Sequence, residues 1–474
     1  LSELVNISVV QAEGSQVNVS LRNGQALVVG DKAAQLGTRD NAEDPTRLEF
    51  ILTTGGRTLN VDSQVNGGKL GGLQRFESEA LQPAFAELGR VAIALSETLN
   101  QQHEIGMDLE GDLGGLFFSD INSQAAQRGR VIANTNNGAP RDAQLAVEII
   151  DSSQLPAGSW SLRFGGDGRN FELVDRATGE VVNQGRLPDP VQSEISMPGF
   201  NIRIEGGTFN AGDSFLIEPT RNAAASIGLE VNREEDLAFA SPVRAEGSAN
   251  NTGDATINQG KMLDVRDPFT NSLLSNFRQD GQLDPPLDIQ FRDDGGQLVY
   301  DIVDANTNTV LQAGDAAAVP PVNVFQAGQS NKLFTEDPRS PDYLGFQFEI
   351  SGNPRPGDSF SIDYNTNGVS DNRNAEFLAA LGTENTLNNG SQSFAEGYAG
   401  LVEDIGVKTR QSQLDKDAGS TLLEQSTNQR ESVSGVNLDE EAGKLIQYQA
   451  AYNASAQVVS VAQDLFNTLL QSFR

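Results

Sequence analysis

Five residues from Asp108 to Asp112, Asp-Leu-Glu-Gly-Asp, place carboxylates at the first, third and fifth positions, the opening spacing of a calcium loop. The rest of that pattern is absent: the sixth position is Leu113 where the loop needs a turn glycine, and the twelfth is Ser119 where it needs a bidentate glutamate. Gly165, Gly166 and Gly168 match part of a nucleotide fingerprint, but Asn170 to Asp175 after them alternates like a strand, and phosphate cradling needs a helix N-terminus. A hairpin turn is the better reading. Gly67-Gly68-Lys69-Leu70 lacks the Ser or Thr of a P-loop and reads as a helix entry. Asp293-Asp294 and Glu234-Glu235-Asp236 offer the residue types of a glycosidase pair. In a chain with 65 acidic residues, however, adjacency says little. His103 is the one histidine, which excludes a histidine metal cluster, and as a general base it has no companion nucleophile motif. A structural or solvated histidine at a helix end is expected. With no cysteine there is no thiolate nucleophile, disulfide or thiolate zinc site. The candidates do not converge, so the chain is expected to be a non-enzyme with no metal and no cofactor.

Composition narrows the classes further. The 474 residues carry a formal charge of -32, which argues against nucleic-acid binding and against docking on an anionic membrane. No run of eighteen apolar residues and no charged-then-apolar leader is seen, so neither a transmembrane helix nor a Sec-type signal is expected. The length suits about three or four domains.

The most informative element lies at the other end. Gly435 to Arg474 reads as one amphipathic helix, with Asn437 as N-cap, Glu440 three positions on, and Asp439 and Glu441 against the positive end of the helix dipole. Leu438, Ala442, Leu445, Tyr452, Ala456, Val459, Phe466 and Leu470 follow an alternating four-and-three register, interrupted at Gln449 and Gln463. A second stripe of Tyr448, Ala451, Val458, Ala462, Leu465 and Leu469 widens the face. Each large side chain there would contribute about 1.5 to 3 kcal/mol if buried. Leu438, Ala442, Leu445, Tyr448, Tyr452, Ala456, Val459, Phe466 and Leu470 are therefore the candidate assembly interface.

These residues also carry a resemblance. Ser434 to Glu441, continuing through Leu445, Tyr448, Gln449, Tyr452, Ala456, Val459 and Phe466, resembles the C-terminus of the flagellar hook-associated protein 1 family, whose members join hook to filament. Ser393 to Gly406 looks like the family's preceding helix, and Asn100 to Gly106 with Asp108 and Gly111 looks like the close of its N-terminal block. Gly71 to Leu73, Leu88 to Arg90 and Ser370 to Asn374 fit as well. The anchors cover about the first 125 and last 105 residues. Family members open with a long N-terminal helix that pairs with the C-terminal one, and with an Asn-rich segment. Neither is present here, so the sequence reads as part of a longer chain that would also carry the export signal.

Along the chain, Leu1 to Val10 is expected to be a helix tail entering a strand. Val17, Val19 and Leu21 alternate as a strand, Asn23-Gly24 marks a hairpin turn, and Ala26 to Val29 returns. Leu48 to Leu52 gives another strand, with a turn at Gly55-Gly56. A helix is expected from about Leu73 to His103, with Pro83 marking a start or kink and Leu81, Phe85, Leu88, Ala92, Leu95 and Leu99 facing a helical neighbour. From Ala126 to Val369 frequent Gly, Asn, Asp and Pro break the chain into short alternating runs. Three strings recur there in one order: Phe171 to Asp175 as Tyr300 to Asp304, Gly199 to Ile204 as Gly345 to Ile350, and Gly212 to Phe215 as Gly357 to Phe360. Two similar β-domains are expected, with Trp160, Leu162 and Phe164 facing inward in the first. Helical spacing resumes from Asn374.

The expected fold is α+β: a discontinuous, coiled-coil-like helical body formed by both chain ends, with two similar β-rich domains inserted. Its expected parts are residues 1–125 (helical body with a small hairpin), 126–250 and 251–370 (β-domains), 371–434 (returning helices) and 435–474 (assembly helix). The resemblance implies a structural component of the flagellum, exported by the flagellar type III route and found outside the cell. Its implied partners are copies of itself in a ring or helical assembly, hook protein, the next junction protein and a secretion chaperone on the C-terminal helix. The alternatives are another axial protein, hook or distal rod, and an extracellular adhesive module built on the β-repeats. A hydrolase would need carboxylates of split pKa in one pocket, and no such constellation is visible.

Overall fold

The computed structural model describes residues 1–11, 16–189, 191–278, 281–435 and 438–472. Residues 1–402 form one compact unit and residues 403–474 a second.

At the start of the chain the expected helix tail shrinks to a single turn, in which the Leu4 and Val5 amides both donate to the Leu1 carbonyl. Strands β1 (Ile7–Gln11), β2 (Val17–Leu21), β3 (Ala26–Val29) and β4 (Lys32–Ala33) then run as an antiparallel meander. The Asn23-Gly24 turn falls where the sequence put it, with Gly24 at φ 93°. A second sheet holds β5 (Gln35–Asp40), β6 (Leu48–Thr54) and β7 (Arg57–Asn60). Val5, Leu21, Leu27, Leu52, Val61 and Val65 form a small core beneath these strands.

Helix α1 (Gly68–Phe76) leads through one wider π turn, Glu77–Leu81, into α2 (Gln82–Glu104). Pro83 has no amide hydrogen and cannot close the ordinary i to i−4 bond, so the irregular turn directly before it has a local cause. The buried face of α2 differs from the expected leucine row. Gly89, Ala92, Ile93, Ser96, Asn100 and His103 are buried, whereas Phe85 is 58% exposed and Leu88 36% exposed. Small and polar residues win this face because the helix lies close against loops with polar backbone. A Cβ on Gly89 would stand 2.3 Å from the Thr220 carbonyl oxygen. Asn100 donates to the Phe118 carbonyl at 2.9 Å and accepts from the Phe117 and Phe118 amides at 2.9 and 2.7 Å.

After α3 (Gln124–Gly129) comes the first β-rich region: β8 (Val131–Ala133), β9 (Gln144–Ile149), β10 (Trp160–Phe164), β11 (Asn170–Asp175), β12 (Val181–Arg186), β13 (Ser193–Met197), β14 (Phe200–Gly206) and β15 (Ser214–Ile217). Its sheets run β12-β11-β10-β15-β8 and β13-β14-β9. Trp160, Leu162 and Phe164 sit in the core, the Trp160 ring 5.3 Å from that of Phe200.

A short helix, α4 (Ala223–Ser226), precedes the second β-rich region. That region contains β16 (Val243–Gly247), β17 (Thr256–Ile257), β18 (Lys261–Met262), β19 (Phe277–Arg278), β20 (Gln282–Leu283), β21 (Leu287–Asp294), β22 (Gln297–Asp304), β23 (Thr309–Gln312), β24 (Asn331–Leu333), β25 (Phe346–Ser351) and β26 (Ser359–Tyr364). The larger sheet runs β16-β26-β21-β22-β23, and β25 pairs with β17, β18 and β24. A separate core of Phe, Ile and Leu side chains fills this region.

Helix α5 (Arg373–Ala380), strands β27 (Asn385–Leu387) and β28 (Gln392–Ser393), and the long helices α6 (Phe394–Ser434) and α7 (Leu438–Ser472) complete the chain. The two flanks of the β-rich insertion meet inside residues 1–402, as expected, through α2 against α5 and β27. They are joined by polar side chains and not by a heptad seam. Asn374 donates to the Gln102 and Ala238 carbonyls at 3.0 and 2.6 Å and accepts from Gln102 Nε2 at 2.5 Å. Arg90 donates to Asn388 Oδ1 at 2.9 Å. The fold is α+β.

Candidate assembly interface

The structure first disposes of the residues whose types suggested chemistry. Asp108 Oδ1 accepts from the amides of Glu110 and Asp112, both at 2.9 Å, so this carboxylate caps its own turn. Gly165 to Gly168 form the hairpin between β10 and β11, where Asp167 Oδ1 accepts from the Arg169 and Asn170 amides. Gly67 and Gly68 enter α1 at positive φ, and Lys69 pairs with Glu3. Asp293 accepts from Gly296 in the β21–β22 turn, and Asp236 pairs with exposed Arg233. His103 is buried and hydrogen-bonded through both ring nitrogens. Each of these groups is held by its neighbours in a structural role.

Helix α7 behaves differently. Its composition explains its regularity: no Gly after Gly443, no Pro, few β-branched residues outside Val458 to Val461, and three acids in the first turn. Lys444 pairs with Glu441 at 2.9 Å and with Glu440 at 3.5 Å, bonds of i,i+3 and i,i+4 type. The expected N-cap, Asn437, lies outside the described residues. At 1.5 Å per residue the helix is about 50 Å long. All nine candidate residues fall on it. No α7 residue is buried: Leu438 is 81% exposed, Tyr452 75%, Phe466 64% and Val459 57%. The second stripe is as open, with Tyr448 at 73% and Val458 at 68%.

Two further residues belong to this surface although the four-and-three register missed them. Ile446 and Val461 are 66% and 57% exposed, and at 3.6 residues per turn they fall outside both stripes, on the far side of the helix. The helix is thus apolar on nearly every side. An all-round apolar helix is the pattern of a buried helix, and single-sided packing would leave Ile446 and Val461 wet. The signal was present in the sequence but is invisible to a search for one face.

Helix α6 supplies the approach. Its start is fixed by a capping box: Ser393 Oγ accepts from the Glu396 amide at 3.3 Å while Glu396 Oε2 accepts from the Ser393 amide at 2.9 Å. Further along, Val407, Leu422 and Leu423 are more than 60% exposed.

An open apolar helix of this kind, on a chain with two β-rich regions inserted between its helical flanks, is the candidate surface for assembly. Similarity to known proteins bears on it. The profile of the flagellar hook-associated protein FlgK helical domain matches residues 1–118, and that of the flagellar basal body rod FlgEFG protein C-terminal region matches residues 428–472. Over 472 residues, 99% of this chain, it is 25% identical to flagellar hook-associated protein 1 of Salmonella typhimurium and 24% identical to that of Escherichia coli. The flagellar hook junction protein FlgK from Burkholderia pseudomallei superposes with a TM-score of 0.73 at 29% identity, covering 91% of this chain and 76% of that one. These matches are to flagellar axial proteins, a class of structural components. Within that class, the likeness that runs through nearly the whole chain is to flagellar hook-associated protein 1. It spans 62% of the length of the Salmonella relative.

Proposed function

We propose that this chain is a structural subunit of the bacterial flagellum that joins hook to filament, and that it assembles by burying the α7 surface against neighbouring subunits. The observation that carries the reading is the exposure of every large apolar side chain along α7 within the segment that matches axial proteins. Contiguous apolar surface of this extent exceeds what soluble monomers usually tolerate. Leu438, Ala442, Leu445, Tyr448, Tyr452, Ala456, Val459, Phe466 and Leu470 form the contact row, with Ile446 and Val461 completing it on a second side. Copies of the same chain, hook protein and the next junction protein supply the covering surfaces, and a secretion chaperone shields the helix before export. The assembled subunit lies outside the cell. The charge of -32 keeps unassembled subunits apart in solution.

The domain plan inferred with this function places a helical body at 1–125 and 371–434, β-domains at 126–250 and 251–370, and the assembly helix at 435–474. We infer that the β-domains are two copies of one unit. The larger sheets support this: β12-β11-β10-β15-β8 in one and β23-β22-β21-β26-β16 in the other follow the same path through the repeated strings. A shared side-chain device supports it too. Asn137 brackets Ser214, accepting from its amide at 2.9 Å and donating to its carbonyl at 3.0 Å, and Asn251 does the same to Ser359 at 2.8 and 2.9 Å. Asp213 and Asp358, one residue before those serines, each accept backbone amides from both sides of the turn.

The test replaces Leu445, Val459 and Phe466 together by Ser in the full-length protein and scores filament attachment in motile cells. Loss of attachment with the β-rich unit still folded is expected. Normal attachment would contradict the reading.

A further inference from the structure

The single histidine occupies the point where three distant segments converge. His103, 1% exposed at the end of α2, places Nδ1 2.7 Å from the Gly115 carbonyl oxygen and Nε2 3.0 Å from the Ala238 amide nitrogen. An amide nitrogen can only donate, so Nε2 is the unprotonated acceptor and Nδ1 carries the hydrogen given to Gly115. The ring is a neutral tautomer fixed by its two partners.

Ala238 belongs to the segment that links the two β-rich regions. That segment is fastened at neighbouring points: Met107 and Ala240 exchange both backbone bonds, at 2.8 and 3.1 Å, and the Ala238 carbonyl accepts from Asn374. The C-terminal flank therefore reaches the same link from its other side.

We propose that His103 is a proton-operated latch: neutral, it ties the inter-domain link to the end of α2, and charged, it releases that link. Protonation at Nε2 would set an N–H against the Ala238 N–H, replacing a buried hydrogen bond by two opposed donors and adding an unpaired buried charge. The charged groups around the ring do not offset this. The charged residues nearest in sequence to the ring and its partner are Glu104, Asp108, Glu235 and Asp236, the last paired with Arg233, and α5 carries Arg373, which is held by Asp371. Of these, Asp108 is the one whose charge reaches the imidazole, and it acts with the Gly115 carbonyl against the larger effect of burial, which holds the pKa below the ordinary histidine value. The edge of the Phe117 ring, with centroids 5.4 Å apart, fills the remaining side.

The sign follows from the depressed pKa. The contribution of the latch is complete above the unfolded-state pKa of about 6.5 and is lost as pH falls through the folded-state value. Hydrogen exchange of this chain, corrected for the intrinsic pH dependence of amide exchange, reads the change directly at residues 236–240. Opening should accelerate by about tenfold for each pH unit between about 6.5 and the folded-state pKa and level off below it, while amides in the β10 and β21 cores hold steady. His103→Gln keeps an acceptor for Ala238 and cannot take up a proton, so its exchange at 236–240 should not respond to pH. Because that variant could fail to fold, the single imidazole resonance of the unaltered chain provides a second readout: its midpoint should lie below about 6.5 and coincide with the pH at which exchange stops accelerating. Exchange at 236–240 that is flat across the titration, an equal response in His103→Gln, or an imidazole midpoint at or above the free value would each overturn the proposal.

Discussion

Asp358 is 2% exposed and accepts from the amides of Thr252, Gly253 and Arg355 at 2.7, 3.0 and 2.7 Å, so one carboxylate organises two turns. Replacing it by Ala leaves those donors without a partner. Asp358→Ala should destabilise the second β-rich region by about 2 to 4 kcal/mol, readable as a shift in its denaturant midpoint. Asp213→Ala should act comparably on the first. Burial would raise the Asp358 pKa, but its backbone donors and Thr252 hold it below the usual carboxylate range. A depressed carboxylate stabilises above its unfolded pKa of about 3.9, and that share is lost as pH falls through the folded value. In Asp358→Ala the acid limb of stability against pH should therefore be shallower. Gly89 offers a steric counterpart. An added methyl would stand 2.3 Å from the Thr220 carbonyl oxygen, so Gly89→Ala should cost about 1 to 3 kcal/mol despite the better helix propensity of Ala, and thermal unfolding would show it.

Elements differ in how plainly the sequence announced them, and the reasons are local or distant. Asn23-Gly24 and Gly55-Gly56 supply positive φ to their own turns, so both hairpins were legible. Trp160, Leu162 and Phe164 alternate because one face of β10 meets a core, and period two reads that directly. Helix α2 was visible, but its buried face was not. Its leucine row follows a helical register, whereas the contact surface is chosen by close approach to the Thr220 and Phe118 loops, far away in sequence. Within the returning helices, α6 runs unbroken from Phe394 to Ser434 through Gly400, Gly406 and Gly419. Each interior glycine costs only about 1 kcal/mol, too little to end a helix of this length. Its true start was legible in the Ser393-x-x-Glu396 spacing. Ser393→Ala removes one arm of that box and should lower stability by about 1 kcal/mol, with fraying of the first turn seen as faster amide exchange at residues 394–397.

Across the whole molecule, the β-rich insertion and the helical flanks have separate logics. Each β-rich region encloses its own core of phenylalanines and branched aliphatics, the first completed by Ile93 of α2. The flanks in residues 1–402 are joined by Asn374 with Gln102 and by Arg90 with Asn388, an arrangement of polar contacts that no hydropathy pattern encodes. Helix α7 has the reverse character: its chemistry is plain in the sequence, and the partners proposed for it lie outside the chain. Because the chain holds no cysteine, one introduced thiol reports on one position. Ala456→Cys sits in the contact row with little change in volume, and its reaction with a maleimide can be timed on the unassembled full-length protein and on intact flagella. Burial of α7 by neighbouring subunits predicts rapid labelling before assembly and strong protection afterwards. Equal labelling in both states would contradict it.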